Sequence, residues 1–237
     1  MSSEPHPTAI LTGASGGIGA AIVAELLSLG YQVYGIGRDF SKKDSPKATE
    51  FFHPVELDLT DTAALTDYLV PLQKKHAVSL LVNNAGVGYF GLHEELNSRK
   101  IHEMVMVNVE VPMLLSQLFL RDLKQLRGQI INISSVTAHK SNPHGCAYGA
   151  TKAALSSFSS SLFDEARKYG VRITGIHPDM TVSNFYRNAD FDTDGDVQCS
   201  LTPQDVASAV RSVITARDGM VITDITLKPQ LHRLHRK

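Results

Sequence analysis

The sequence predicts an α/β fold, a doubly wound parallel sheet of about seven strands with helices on both faces. Three observations predict it. Short apolar runs alternate with amphipathic stretches along the whole chain. Runs such as Leu80-Leu81-Val82 and Ile130-Ile131 carry no polar alternation, as strands buried on both faces require. A glycine cluster, Gly13, Gly16, Gly17 and Gly19, separates the first apolar run from the first helical stretch.

The elements follow in order. Residues 8–11 are the first strand and 17–29 the first helix. Strands at 32–36 and 55–57 precede a helix at 62–75. A strand at 79–82 leads into a long helix at 98–126. Strand 129–133, helix 147–168, strand 172–176, helix 203–216 and strand 220–226 complete the series. No Pro/Gly/Ser-rich linker interrupts it, so residues 1–237 are read as one domain. The least regular stretch, 183–201, is expected to be a surface flap on the substrate side, and 230–237 a solvated basic tail.

Composition narrows the class. The chain has 237 residues, 43% hydrophobic and 20% charged, which excludes a mostly disordered, collagen-like or disulfide-stapled protein. At this mass about 70% of the extended chain's surface is buried on folding, enough for one large core. Lys plus Arg number 23 and Asp plus Glu 24, so net charge gives no drive toward nucleic acid. Cys146 and Cys199 are the only cysteines and are read as free thiols of a reducing compartment. The first residues lack the pattern of a secretory signal, and no run of 18 apolar residues occurs, so a cytoplasmic protein off the membrane is expected. No cysteine or histidine spacing suggests zinc. Asp190, Asp192, Asp194 and Asp196 alternate but lack the bidentate glutamate of a calcium loop, so no metal is expected.

The first turn reads Thr12-Gly13-Ala14-Ser15-Gly16-Gly17-Ile18-Gly19. Glycine permits positive φ and close backbone approach, and the following helix N-terminus offers free N–H groups to a diphosphate. The context of strand, turn and helix is that of a Rossmann-like dinucleotide site, and the lack of a Gly-Lys-Ser/Thr ending excludes a P-loop. Arg38 ends the second strand, 19 residues after Gly19, where a cation pairs with a 2′-phosphate. NADP(H) is therefore the preferred cofactor; Asp39 beside it keeps NAD(H) as the alternative.

Further along stand Asn83-Asn84-Ala85-Gly86, Asn108, Ser134-Ser135 and Tyr148-Gly149-Ala150-Thr151-Lys152. Tyr148 and Lys152 are four apart and share a helix face. A phenol of pKa about 10 is a poor proton shuttle at neutral pH, and a neighbouring ammonium lowers that value. In this order, and across nearly the whole chain, the motifs resemble the short-chain dehydrogenase/reductase family: its TGxxxGxG turn, NNAG, active-site asparagine, serine and YxxxK.

The resemblance implies the following roles. Tyr148 is the general acid that protonates a carbonyl oxygen, Ser135 polarises that oxygen, Lys152 tunes the tyrosine and holds the nicotinamide ribose, and Asn108 positions a relay water. The 13-residue spacing to Tyr148 selects Ser135 over Ser134, and strand alternation puts the two on opposite faces. The cofactor is held by Gly13, Ser15, Gly16, Gly17, Ile18, Gly19 and Arg38, by Asp58 and Leu59 near the adenine, by Asn84, Ala85 and Gly86 near the ribose, and by Tyr148, Lys152, Pro178 and Ser183. Asn83 ties strands together. Asp179 stands where the family usually has glycine and is read as a turn residue.

Candidate substrate contacts are Tyr89, Phe90, His144, Met180 and Phe185, an apolar and aromatic set suited to an aromatic or medium-sized ketone. The ending, Ile222 through Pro229, is similar to that of small NADP-dependent ketone, diketone and pterin-type reductases. The expected activity is NADPH-dependent reduction of a small ketone, diketone or aldehyde. The alternatives are an NAD-dependent alcohol dehydrogenase and a non-catalytic NADP(H)-binding sensor or interaction protein. The resemblance also implies a homodimer or homotetramer, paired through the two long helices with Leu114, Leu115, Leu118, Phe119, Leu155, Phe158 and Leu162 at issue between interface and core.

Overall fold

Strand β1 (Thr8–Thr12) is buried at every position and lies near the middle of the sheet. The other strands, in chain order, are β2 (Gln32–Gly37), β3 (Phe52–Glu56), β4 (Val78–Asn83), β5 (Gln129–Ile133), β6 (Arg172–Pro178), β7 (Phe191–Thr193), β8 (Asp224–Leu227) and β9 (Leu234–Arg236). This computed structural model describes residues 6–189, 191–193, 196–231 and 233–236. Seven strands form one parallel sheet in the order β3-β2-β1-β4-β5-β6-β8. The chain runs outward from β1 to β3 and then returns to β4 on the other side of β1. The strand order reverses there, and a crevice opens at the strands' carboxyl ends, which is where such sheets bind ligands.

Consecutive side chains point to opposite faces, and each face has its own core. Leu11, Leu80, Ile131 and Ile133 pack with Ile22 and Leu26 of α1 (Gly17–Ser28) and Val206 and Val210 of α6 (Pro203–Ile214). Ile10, Leu81 and Ile130 pack on the other face with residues of three helices. These are Leu65 and Leu69 of α2 (Thr62–Lys75), Leu115 and Phe119 of α4 (Val111–Leu126), and Leu162 of α5 (Cys146–Ala166). Neighbours such as Leu80 and Leu81 thus belong to different cores, which is why these strands read as unbroken apolar runs.

The long helix expected at 98–126 is a continuous run of three pieces: α3 (Ser98–Val105), a π-helical turn (Met106–Glu110) and α4. By length and composition alone Ser98–Leu126 could cross a membrane; instead 44% of its most apolar window is buried inside the protein. Of the residues weighed between core and interface, Leu115, Phe119, Leu155 and Leu162 are core, Leu118 and Phe158 half-buried, and Leu114 exposed.

Three elements depart from the sequence reading. Strand β3 lies at Phe52–Glu56 rather than 55–57, because Phe52 pairs with Val33 and its ring is fully buried. Pro54 is tolerated there because β3 is the sheet edge. The last sheet strand begins at Asp224 rather than 220, after a turn in which Gly219 adopts φ +78°. The tail is not simply solvated: Leu234–Arg236 pairs antiparallel with Phe191–Thr193, so β9 straps the flap. Within flap and tail, Asp190, Asp194, His232 and Lys237 lie outside the described residues.

Candidate active site

The turn between β1 and α1 is glycine-dependent at two points. Gly13 has φ +71°, and a Cβ there would stand 2.8 Å from Asn84 Nδ2 and 2.9 Å from Ala85 Cα. A Cβ on Gly19 would run into the Gly13 carbonyl. Thr12 stitches this turn to the one after β4: its hydroxyl accepts from the backbone N–H groups of Asn84 and Ala85, both at 3.1 Å. Asn84 Nδ2 returns bonds to the carbonyls of Thr12 and Gly13. Helix α1 starts at Gly16 without a side-chain cap, so its first amides are left for an anion. These features fit the diphosphate of a nicotinamide dinucleotide.

A cavity of about 290 Å³ opens over this turn. It is lined by Gly13, Ser15, Gly16, Gly17, Ile18, Gly19, Arg38, Asn84, Ala85, Gly86, Ser135, Tyr148, Lys152, Pro178, Ser183 and Phe185, all singled out from the sequence. Asp39, Lys42, Ile133, Ser134, Asp179, Thr181, Asn184 and Tyr186 line it as well. Lys42 carries no sequence motif; its place follows from the fold of the loop after β2. That loop is clamped by Ser45, whose hydroxyl donates to the Ser15 carbonyl at 2.7 Å.

Beyond β2, Asp39 turns its carboxylate onto Ser41, accepting from the hydroxyl at 2.6 Å and the amide at 2.8 Å. These bonds hold the carboxyl below the usual range. Arg38 and Lys42 stand beside it at the cavity wall. Asp58 and Leu59 do not line the cavity. Asp58 accepts from the Thr60 amide and hydroxyl, which with Arg38's charge lower its pKa, and Leu59 is buried in the core.

At the other end Tyr148 and Lys152 stand one turn apart on α5, both buried. Burial pushes the Tyr148 phenol well above its ordinary pKa, and a hydrogen bond from Ser135 opposes this only in part. Burial pulls the Lys152 ammonium down to about 8. Its Nζ donates to the Ile133 carbonyl at 2.9 Å and sits 5.8 Å from the Tyr148 ring centroid. Burial dominates the phenol's pKa here and keeps it protonated at neutral pH.

Ser134 and Ser135 both line the cavity, contrary to strand alternation, because β5 ends at Ile133 and the chain turns. Ser134 donates to the Lys152 carbonyl, and Ser135 Oγ accepts from the Thr137 amide.

Asn108 sits in the π-helical turn, fully buried and off the cavity wall. Its Oδ1 accepts from Val87 N and its Nδ2 donates to Val87 O, both at 2.9 Å, and to Thr151 Oγ1 at 3.0 Å. Its side chain is thereby committed to holding the chain after Gly86. A Cβ on Gly86 would lie 3.3 Å from Lys152 Nζ and 3.5 Å from Asn108 Oδ1, so glycine keeps the space before the lysine clear. Asn83 ties strands as expected: it donates to Asn132, which donates to Ser159.

The substrate candidates separate. Phe185 lines the cavity with its ring 5.5 Å from that of Tyr148. Phe90 is behind the wall, 5.5 Å from Tyr148 and 5.2 Å from Phe191. Tyr89 is off the cavity wall, its hydroxyl donating to Glu103, and Met180 is buried between two residues of the wall without lining it. His144 is exposed in a left-handed turn at φ +61°, its carbonyl accepting from Gly91. Asp179 is a turn residue, accepting from the Met180 amide, with Lys140 Nζ 3.8 Å away.

The family model for short chain dehydrogenases matches residues 7–193. A short-chain type dehydrogenase/reductase of Sinorhizobium fredii is 30% identical over 232 residues, 94% of this chain and 92% of that one. Serine 3-dehydrogenase of Rhizobium radiobacter is 29% identical over 235 residues, 94% and 93% of the two chains. A solved metagenomic short-chain oxidoreductase in complex with NADP superposes with a TM-score of 0.79 at 29% identity, covering 95% of this chain and 98% of that one. The chain belongs to the short chain dehydrogenase family, and it is an NAD(P)-dependent oxidoreductase acting by hydride transfer.

Proposed function

We propose that the protein is an NADPH-dependent carbonyl reductase for a small to medium-sized, largely apolar ketone, diketone or aldehyde. The observation that carries this is a buried, protonated Tyr148 in hydrogen-bonding reach of Ser135, one helical turn from Lys152. A nicotinamide held at this site would supply the hydride. The Tyr148 phenol delivers the proton to the carbonyl oxygen, and the Ser135 hydroxyl donates to the same oxygen as charge develops on it. Lys152, charged at neutral pH with its pKa near 8, holds the nicotinamide ribose and stabilises the phenolate left behind. Asn108 is a positioning residue: its amide fixes Val87 and Thr151, and any part in a proton relay falls to its backbone.

Arg38 and Lys42 support NADP(H), since both cations line the adenosine end while Asp39's carboxylate is engaged by Ser41. The NADP-bound metagenomic relative supports it too. Asp39 on the same wall favours NAD(H) as the second reading. Phe185, with Phe90 behind it, supports an aromatic or apolar substrate. A cytoplasmic homodimer or homotetramer belongs to the same proposal; exposed Val105, Met113 and Leu114 on the long helix supply an apolar face for it.

The test follows nicotinamide absorbance with NADPH and NADH in parallel, against diketones, quinones, ketones, aldehydes and pterins. Turnover should favour NADPH, and Tyr148→Phe should lose about 10²–10⁴-fold. Preference for NADH overturns the cofactor assignment, and near wild-type turnover in Tyr148→Phe overturns the mechanism.

A further inference from the structure

A second cluster of chemically capable side chains stands apart from the cavity wall. His139, His177 and Asp224 bring one ligand-type atom each to within 4.8 Å of one another. The sheet register creates it. Gly175 pairs with Asp224 and His177 with Thr226, and side chains two apart on a strand share a face. His177 therefore overhangs Gly175 and meets Asp224, Nε2 to Oδ1 at 2.8 Å. A Cβ on Gly175 would stand 2.9 Å from that Nε2 and 3.1 Å from that Oδ1, so glycine keeps the floor of the cluster clear. His139 follows the 3₁₀ turn Val136–Ala138, and its ring centroid lies 4.5 Å from that of His177, edge to face.

The environment suits a cation. His177 is fully buried, while His139 and Asp224 are exposed, so solvent reaches one side. The nearby cation, Lys140, is directed to Asp179. His177 Nδ1 is buried without a hydrogen-bond partner, and the Ser135 backbone lies on its side.

We propose that His139, His177 and Asp224 form a binding site for a divalent transition metal of the Zn²⁺ type, with its remaining coordination positions open to water. Two imidazoles and one carboxylate are donors of the kind Zn²⁺ takes. The metal is bound by His177 through Nε2, by Asp224 through a carboxylate oxygen and by His139 through a ring nitrogen. Donors around a tetrahedral Zn²⁺ stand about 3.3 Å apart. His177 and Asp224 need to part slightly, and the exposed His139 closes in. The proton that His177 Nε2 shares with Asp224 leaves to solvent, and Nδ1 takes one up on the side of the Ser135 backbone. That is the outer-shell arrangement that fixes ligating histidines. The metal ties the 136–145 loop, which joins Ser135 to Tyr148, to β6 and β8. It takes no part in the hydride or proton transfer proposed above and does not depend on it.

The test uses the tag-free full chain, stripped with chelator and titrated with Co²⁺. Wild type should develop a visible d–d band at one Co²⁺ per chain, displaced by Zn²⁺, and Zn²⁺ should raise its melting temperature. His139→Ala, at an exposed position, should keep the metal-free melt and circular dichroism but lose the band and the Zn²⁺ shift. Asp224→Asn should weaken binding on the order of tenfold or more. A chain ending at Gln230, which lacks the tail histidines, should keep the band. The proposal is overturned by no band in wild type, by an undiminished band in His139→Ala, or by loss of the band with the tail.

Discussion

Burial sets the chemistry of Tyr148 and Lys152, and it does so in opposite directions. Each side chain is driven toward its neutral form, the phenol upward and the ammonium down to about 8. The lysine effect has a stability signature. A depressed lysine pKa means that the folded state carries a cost for the charge, fully present below pH 8. The cost disappears as pH rises toward the unfolded value of about 10.4. Lys152→Met removes that cost and leaves the Ile133 carbonyl unpaired at every pH. Relative to the variant, wild type should therefore gain on the order of 2 kcal/mol between pH 7 and 9.5, the tyrosines being common to both proteins. Urea midpoints of the two proteins across that range check the sign; a pH-independent difference would show that Lys152 is not desolvated in the folded chain.

Among the elements, the Ser98–Leu126 run shows how one local irregularity serves the site. Five residues, Met106–Glu110, wind as a π-helix, and Asn108 lies within them. Such turns interrupt α-helices chiefly at functional positions. Here the interruption accompanies an amide that clasps both backbone groups of Val87 and reaches Thr151 on α5. Asn108→Ala takes both bonds from the half-buried Val87 backbone, while Thr151 keeps its bond to the Tyr148 carbonyl. It should cost about 3 kcal/mol, read as a lowered urea midpoint. It should also raise the KM for cofactor, because the segment after Gly86 loses its anchor. An unchanged midpoint would mean that water replaces the amide.

Over the whole molecule, the tail is joined to the 191–193 segment and through it to the aromatic residues beside Tyr148. Strand β9 pairs with β7, Phe191 of β7 packs on Phe90, and Phe90 packs on Tyr148. The chain terminus is thus three contacts from the proposed general acid. A two-stranded ribbon of three residue pairs is marginal by itself. Removing residues 231–237 should speed amide exchange at 191–193 and raise the KM for carbonyl substrate. It should leave the melting temperature nearly unchanged, because both cores lie elsewhere. Hydrogen exchange with mass detection distinguishes this from global loosening, in which β1 and β4 would exchange faster too.

The sequence by itself determined the alternating fold, because strand residues buried on both faces must be apolar at consecutive positions, as Leu80, Leu81 and Val82 are. It also determined the glycine turn before α1 and the Tyr148–Lys152 face, since both depend on spacings of a few residues along one local structure. Tertiary structure decided what depends on neighbours distant in the chain. Edge position let Pro54 lie within β3, and pairing with Phe191–Thr193 made the tail a strand. The fold of the loop after β2 brought Lys42 to the cavity, and the bonds to Val87 took up the Asn108 amide. His139, His177 and Asp224 share no local spacing; only the register of β6 against β8 brings the latter two together. Local periodicity records the faces of single elements, whereas contacts between elements arise only when the sheet is assembled.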